Sequence, residues 1–131
     1  MFLIKILAVE DDEFNSKSFF RILKVIYTDI AIKVAKDYDE AMDLYTNEDF
    51  DVLLVDLDLR GSVKQGWDFI SEIRAEDDDI TIYVLTGIEY EGVISEKEFT
   101  DKYKIKKWIK KPLPARKLYE YLINDFNLKN S

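Results

Sequence analysis

The sequence predicts an α/β fold, a doubly wound parallel sheet of five strands with helices on both faces. Three observations predict it. Apolar runs at 3–9, 51–57 and 80–85 show little alternation, as expected of strands buried on both faces. Between them lie segments whose apolar residues recur at helical spacing. The runs also end in groups that carry chemistry: Val9-Glu10-Asp11-Asp12, Val55-Asp56 and Leu85-Thr86-Gly87, joined by Lys110-Lys111-Pro112. In an open parallel sheet, ligands bind outside the carboxyl ends of the strands.

Each element follows in order. Residues 3–9 are the first strand. Residues 14–27 form a helix, with Phe14, Phe19, Ile22, Leu23 and Ile26 at helical spacing. Ile30 to Val34 is a short alternating strand. Asp39 to Glu48 is a helix with Ala41, Leu44 and Tyr45 inward, and Asp37 or Asp39 as its cap. Residues 51–57 are the most apolar strand and the central one. A loop from Asp58 to Gly66 leads into a helix from Trp67 to Ala75, with Trp67, Ile70 and Ile73 inward. Asp77-Asp78-Asp79 is a solvated turn before the strand Ile80 to Leu85. Ile88 to Tyr103 has no clean period, but Ser95 and Glu98 have the spacing of a capping box, giving a helix over 95–103. Residues 105–109 are the last strand. Pro112 and Pro114 precede a helix over 115–126, where Leu118, Leu122 and Phe126 share one stripe. The ends of strands one, three, four and five must converge for the chemistry to assemble. That favours the flavodoxin-like order 2-1-3-4-5.

Composition narrows the function. A chain of 131 residues fits one domain spanning 1–131. It has no cysteine and no histidine, so disulfides, thiolate sites and the usual general base are excluded. No apolar stretch approaches the roughly 18 residues of a membrane helix, and the N-terminal run lacks a cleavage region. A cytoplasmic protein that binds no membrane is the expectation. The formal net charge of −8 argues against direct nucleic-acid binding. Lysines 102, 104, 106, 107 and 110 form a local exception. They suit an edge strand that discourages pairing, or a docking surface for an acidic partner.

The carboxylates, hydroxyl and lysine at the strand ends suit Mg2+ and a phosphoryl group. Each residue also has a plainer reading. Asp56 could cap a turn, Glu10 and Asp11 could cap the first helix, Thr86 could simply end a strand, and Lys111 could be one more edge lysine. Asp12 and Glu13 fit the acidic first turn of the first helix. Trp108 could be only a packed tryptophan.

Four segments together resemble the receiver domain of two-component response regulators, the CheY-like family. They are "ILAVEDDEFN" at 6–15, "DVLLVDLDLRG" at 51–61, "IYVLTG" at 82–87 and "WIKKPL" at 108–113. Asp11 and Asp56 lie 45 residues apart, and Asp56 and Thr86 lie 30 apart. The resemblance implies a phosphorelay module that takes a phosphoryl group onto Asp56. It implies Mg2+ held by Glu10, Asp11, Asp56 and the backbone carbonyl of Asp58, with Asp11 the more direct ligand of the acidic pair. Thr86 and Lys111 would bind the phosphoryl group, Gly87 would keep access open, and Trp108 would change rotamer as a switch. The implied partners are a sensor histidine kinase or histidine phosphotransfer protein, and a downstream protein target. No turnover enzyme is implied beyond self-catalysed transfer and hydrolysis.

The chain departs from the family pattern at Arg60, where proline is usual, in the loop around Ser62 to Gln65, and over Glu89 to Lys107. Two other functions remain open. One is a receiver-like interaction module that is never phosphorylated, suggested by the irregular 88–107 segment. The other is a small flavodoxin-like enzyme such as a phosphatase, which the missing histidine and cysteine disfavour.

Overall fold

A computed structural model describes residues 3–11, 21, 23, 25–59, 63–87 and 94–127. Five strands form one parallel sheet: β1 (Ile4–Val9), β2 (Ile30–Ala35), β3 (Val52–Asp56), β4 (Thr81–Thr86) and β5 (Lys107–Lys110). Their order is β2-β1-β3-β4-β5, as expected. Four helices are described in full: α1 (Tyr38–Asn47), α2 (Gly66–Glu76), α3 (Glu96–Tyr103) and α4 (Ala115–Phe126). Arg21, Leu23, Val25 and Ile26 are also helical. The expectations for Asp12, Glu13, Phe14, Phe19, Ile22, Arg60 to Ser62 and 88–93 fall outside the described residues. No described helix is long and apolar enough to cross a membrane.

Side chains alternate across the sheet and build two cores. Leu7, Val9, Leu53, Val55, Ile82 and Val84 pack with Ala41 of α1, Phe69, Ile70 and Ile73 of α2, and Phe99 of α3. Ile6, Ala8, Val52, Leu54, Tyr83 and Leu85 pack on the other face with Leu23 and with Leu118 and Leu122 of α4. Every residue of β3 is buried, which explains its unbroken apolar run.

Local chemistry sets the helix ends. Asp37, not Asp39, caps α1 by accepting from the Glu40 amide at 2.9 Å. Ser95 caps α3 in the same way, accepting from the Glu98 amide at 3.0 Å. Asp77 does more than sit in a solvated turn. Its carboxylate accepts from the amides of Asp79 (2.8 Å) and Ile80 (3.1 Å) and from the Tyr45 hydroxyl (3.3 Å). The Asp79 amide is the main reason its pKa lies below the ordinary aspartate value.

Trp67 corrects the expected inward face of α2, being 38% exposed. Ile26, one of the apolar residues at helical spacing before β2, is 61% exposed. Helix α2 begins at Gly66, and its buried positions are Gly66, Phe69, Ile70 and Ile73. That stripe leaves Trp67 about 100° round the helix from Gly66. Phe69 takes the core position instead, edge-on to Tyr38 and Tyr45 with ring centroids 6.4 Å away in each case. The last strand is also displaced, running from Lys107 to Lys110 where 105–109 was expected.

Gly66 explains why α2 can start there. A Cβ at this position would lie 1.9 Å from the Asp56 carbonyl oxygen. Backbone therefore packs on backbone, and the helix N-terminus is seated behind the end of β3. At the other end of α2, Arg74 reaches the last turn of α3. Its Nε donates to the Tyr103 carbonyl at 2.6 Å and Nη2 to the Lys104 carbonyl at 3.0 Å. These carbonyls have no partner within their own helix. Burial holds the Arg74 pKa below the ordinary arginine value.

Two substitutions test this framework. Gly66→Ala should lower the unfolding free energy by about 3 kcal/mol, through overpacking against backbone that cannot yield. Arg74→Met should cost about 1–2 kcal/mol, because carbonyls at the end of α3 lose a charged donor. Urea unfolding reads both. A change within experimental error for Gly66→Ala would contradict the close approach.

Candidate functional site

The parallel register brings the expected residues to one edge. Glu10 follows β1, and its amide donates to the Ala35 carbonyl of β2 at 2.9 Å. Asp56 is the last residue of β3, opposite Leu85 of β4. Thr86 ends β4 opposite Lys110. The Thr86 carbonyl accepts from the Lys111 amide at 2.8 Å, which sets Lys111 just past β5. The Lys111–Pro112 peptide is cis.

Burial there is unusual for charged groups. Glu10 and Asp56 are the buried charged residues among those described, at 7% and 2% exposure. Asp11 is partly buried. Glu10, Asp11 and Asp56 can each offer one carboxylate oxygen with all three atoms within 4.8 Å of one another. Oxygen donors grouped in this way fit a hard divalent cation such as Mg2+.

Lys111 supplies the compensating charge. Its Nζ donates to Asp56 Oδ2 and lies 2.8 Å from Glu10 Oε2. Burial alone would lower its pKa. The hydrogen bonds and charges of Asp56 and Glu10 together outweigh that effect and raise it. The other Asp56 oxygen, Oδ1, accepts from the Asp58 amide at 2.9 Å. Asp58 therefore begins the loop beside the carboxylate, with its main chain turned toward the site. A Cβ placed on Gly87 would meet Lys111 Cδ at 3.9 Å, an ordinary contact. Gly87 thus borders the Lys111 side chain and keeps that border small.

Trp108 stands opposite Val84, so alternation puts it on the same sheet face as Thr86. Its indole Nε1 donates to Thr100 Oγ1 at 2.6 Å, and Thr100 Oγ1 donates to the Glu96 carbonyl at 2.8 Å. The ring also lies edge-on to Phe99, with centroids 5.5 Å apart. Trp108 is therefore tied to α3 rather than left at the surface. Reading the sequence for acidic and basic groups did not single out this tie, nor two residues of the loop. Gly66 seats the loop's end. Gln65 closes the loop on Leu59, accepting from its amide at 2.7 Å and donating to its carbonyl at 3.2 Å. The only sequence signal for either was a polar residue and a glycine just before a helical apolar stripe.

The comparisons agree with this fold. Among solved structures, a CheY-like response regulator receiver domain protein from Methanospirillum hungatei is 22% identical, with a TM-score of 0.79. The match covers 95% of this chain and 94% of that one. The non-phosphorylated HemR receiver domain from Leptospira biflexa is 24% identical, with a TM-score of 0.77 and 98% of each chain covered. The chemotaxis response regulator CheY4 of Vibrio cholerae is 22% identical, with a TM-score of 0.76, covering 93% of this chain and 98% of that one. At such identities the likeness speaks for the fold. No curated protein matches the sequence. The profile of the response regulator receiver domain matches residues 6–123, nearly the whole chain. With that coverage, the chain belongs to the response regulator receiver domain family.

Proposed function

We propose that this chain is the phosphoacceptor of a two-component phosphorelay, with Asp56 as the acceptor. The observation that carries the reading is Asp56 itself. It is 2% exposed, shares three-carboxylate geometry with Glu10 and Asp11, and is paired with Lys111. Buried carboxylates crowded together destabilise a site unless cations compensate them. The donor would be a sensor histidine kinase or a histidine phosphotransfer protein, and the output a protein–protein contact in the cytoplasm. The family is one of signalling modules, and turnover here would extend only to loss of the chain's own phosphoryl group.

Glu10, Asp11, Asp56 and the Asp58 carbonyl would hold Mg2+. When bound, the ion supplies charge neutralisation at the transferring phosphoryl oxygens. The remaining work falls to the chain's own residues. An Asp56 oxygen forms a bond to phosphorus as the bond from phosphorus to the donor's imidazole nitrogen breaks. The electron pair leaves with the nitrogen, which regains a proton. A carboxylate is a modest nucleophile, so alignment and charge dominate the rate. Lys111 would exchange Asp56 for a phosphoryl oxygen, and Thr86 would donate to another. Gly87 would leave room for the donor. Attack by water later restores Asp56.

Trp108 would carry the signal to α3 and α4. It can do so only by giving up its bond to Thr100, so the switch requires two arrangements of similar free energy.

Acetyl phosphate with Mg2+ should add the mass of one phosphoryl group to the wild-type chain and none to Asp56→Asn. An equal adduct on the variant defeats the assignment. Asp11→Ala should be no less stable than wild type without Mg2+, because it relieves repulsion among carboxylates. It should lose most of the stabilisation that Mg2+ gives in a thermal melt. Equal ion-induced shifts in both proteins would remove Asp11 as a ligand.

Lys111→Met should cost about 2 kcal/mol at pH 8. That is less than a fully buried pair would lose, because Lys111 reaches solvent. The raised pKa fixes the sign of the pH effect. The lysine contribution is complete below its ordinary value of about 10.4 and fades as pH climbs through the raised value. The stability gap between wild type and Lys111→Met should therefore narrow in strongly alkaline solution. A gap that stays constant there would contradict the pairing.

A further inference from the structure

We propose that Gln65 is a positioning residue for the bound cation, acting through the peptide unit that joins Asp58 to Leu59. The proposal rests on the phosphoacceptor reading, since it concerns the Asp58 carbonyl as a Mg2+ ligand. A backbone carbonyl in a loop is a poor ligand unless something fixes its direction. Here both neighbours of Asp58 are fixed. The Leu57 amide donates to the Leu85 carbonyl at 3.2 Å, and the Leu57 carbonyl accepts from the Gly66 amide at 3.3 Å. Leu59 is held at both of its main-chain groups by the Gln65 side-chain amide, and its own side chain is fully buried.

The geometry of one peptide plane gives this clasp its consequence. The Asp58–Leu59 bond is trans, the only cis bond described being Lys111–Pro112. In a trans peptide the C=O and the following N–H point in opposite directions within one rigid plane. Gln65 Oε1 takes the Leu59 N–H, so the Asp58 carbonyl is turned away from Gln65. The Asp58 amide on the preceding plane is meanwhile committed to Asp56 Oδ1. Gln65 is itself anchored, because its backbone amide donates to Asp68 Oδ2 at 2.7 Å at the start of α2. The helix that Gly66 seats against Asp56 thus also holds the residue that aims the Asp58 carbonyl. An aspartate or asparagine at position 65 would cap the helix but is a methylene short of Leu59.

The test uses the full chain, carbon-13 labelled, titrated with Mg2+ alone. In wild type the Asp58 carbonyl resonance should move together with the carboxyl resonances of Asp11 and Asp56. In Gln65→Met, which keeps the length but neither hydrogen-bonding group, the carboxyl resonances should still respond. The Asp58 carbonyl should respond little, and the Mg2+ dissociation constant should rise roughly tenfold, as loss of an outer partner of a ligand typically produces. Gln65→Glu keeps the acceptor for the Leu59 amide and should restore the Asp58 response. The carbonyl response is the criterion for that variant, because its added charge attracts cations regardless. If Gln65→Met does not fold, hydrogen exchange in wild type decides: an unprotected Leu59 amide overturns the clasp. An Asp58 carbonyl that responds equally in wild type and Gln65→Met overturns this proposal alone. No Mg2+ response at Asp11 or Asp56 in wild type overturns the phosphoacceptor reading, and this proposal with it.

Discussion

The ammonium group of Lys111 lies between two carboxylates that the fold buries. Glu10 follows β1 and Asp56 ends β3, each one residue beyond the paired Val9 and Val55, so the parallel register sets them side by side. Without a cation, their repulsion would work directly against the pairing of β1 with β3. Lys111 reaches them because its own amide continues the ladder onto Thr86. Lys111, the residue that would bind a phosphoryl group, thus already offsets part of this negative charge. A cation entering beside Asp11 would meet carboxylate oxygens of Glu10, Asp11 and Asp56 together. Grouped carboxylate oxygens of this kind suit a hard divalent cation.

The rest of the fold serves that edge. Both faces of β3 are covered, so Asp56 sits at the end of a fully buried strand. Helix α2 is packed with glycine directly on the Asp56 backbone. Its far end holds the last turn of α3 through Arg74, and α3 holds Trp108 through Thr100. A continuous set of contacts therefore runs from the acceptor to β5. On the opposite face, Tyr119 stacks on Tyr27 at 3.8 Å and donates to Asp29 at 2.8 Å, which fixes α4 beside the start of β2.

Much of this was legible in the sequence because burial and charge leave patterns that do not depend on distant partners. The unbroken apolar run before Asp56 betrays a strand covered on both faces, and the end residues of four strands name their own chemistry. The strand order followed from requiring those ends to meet. Trp67 was misread because hydrophobicity alone does not fix helix phase. The phase of α2 is set by Gly66, whose missing side chain is visible only against the Asp56 backbone. Gln65 and Arg74 were illegible for a related reason. Both act on main-chain groups of other segments, and backbone hydrogen bonding leaves no mark in side-chain spacing. Asp77 looked like one of three solvated acids, although its carboxylate organises the turn into β4.

On the proposed phosphoacceptor chemistry, Lys111 changes partner when Asp56 receives a phosphoryl group. Beryllofluoride with Mg2+ imitates that group without chemistry, and the nitrogen-15 resonance of Lys111 Nζ reports its partner directly. This resonance should move on adding the mimic, together with the amides of Asp58, Thr86 and Gly87. Mg2+ alone should move the Lys111 resonance less. A Lys111 Nζ resonance and a Thr86 amide unmoved by the mimic at saturating Mg2+ would contradict this change of partner.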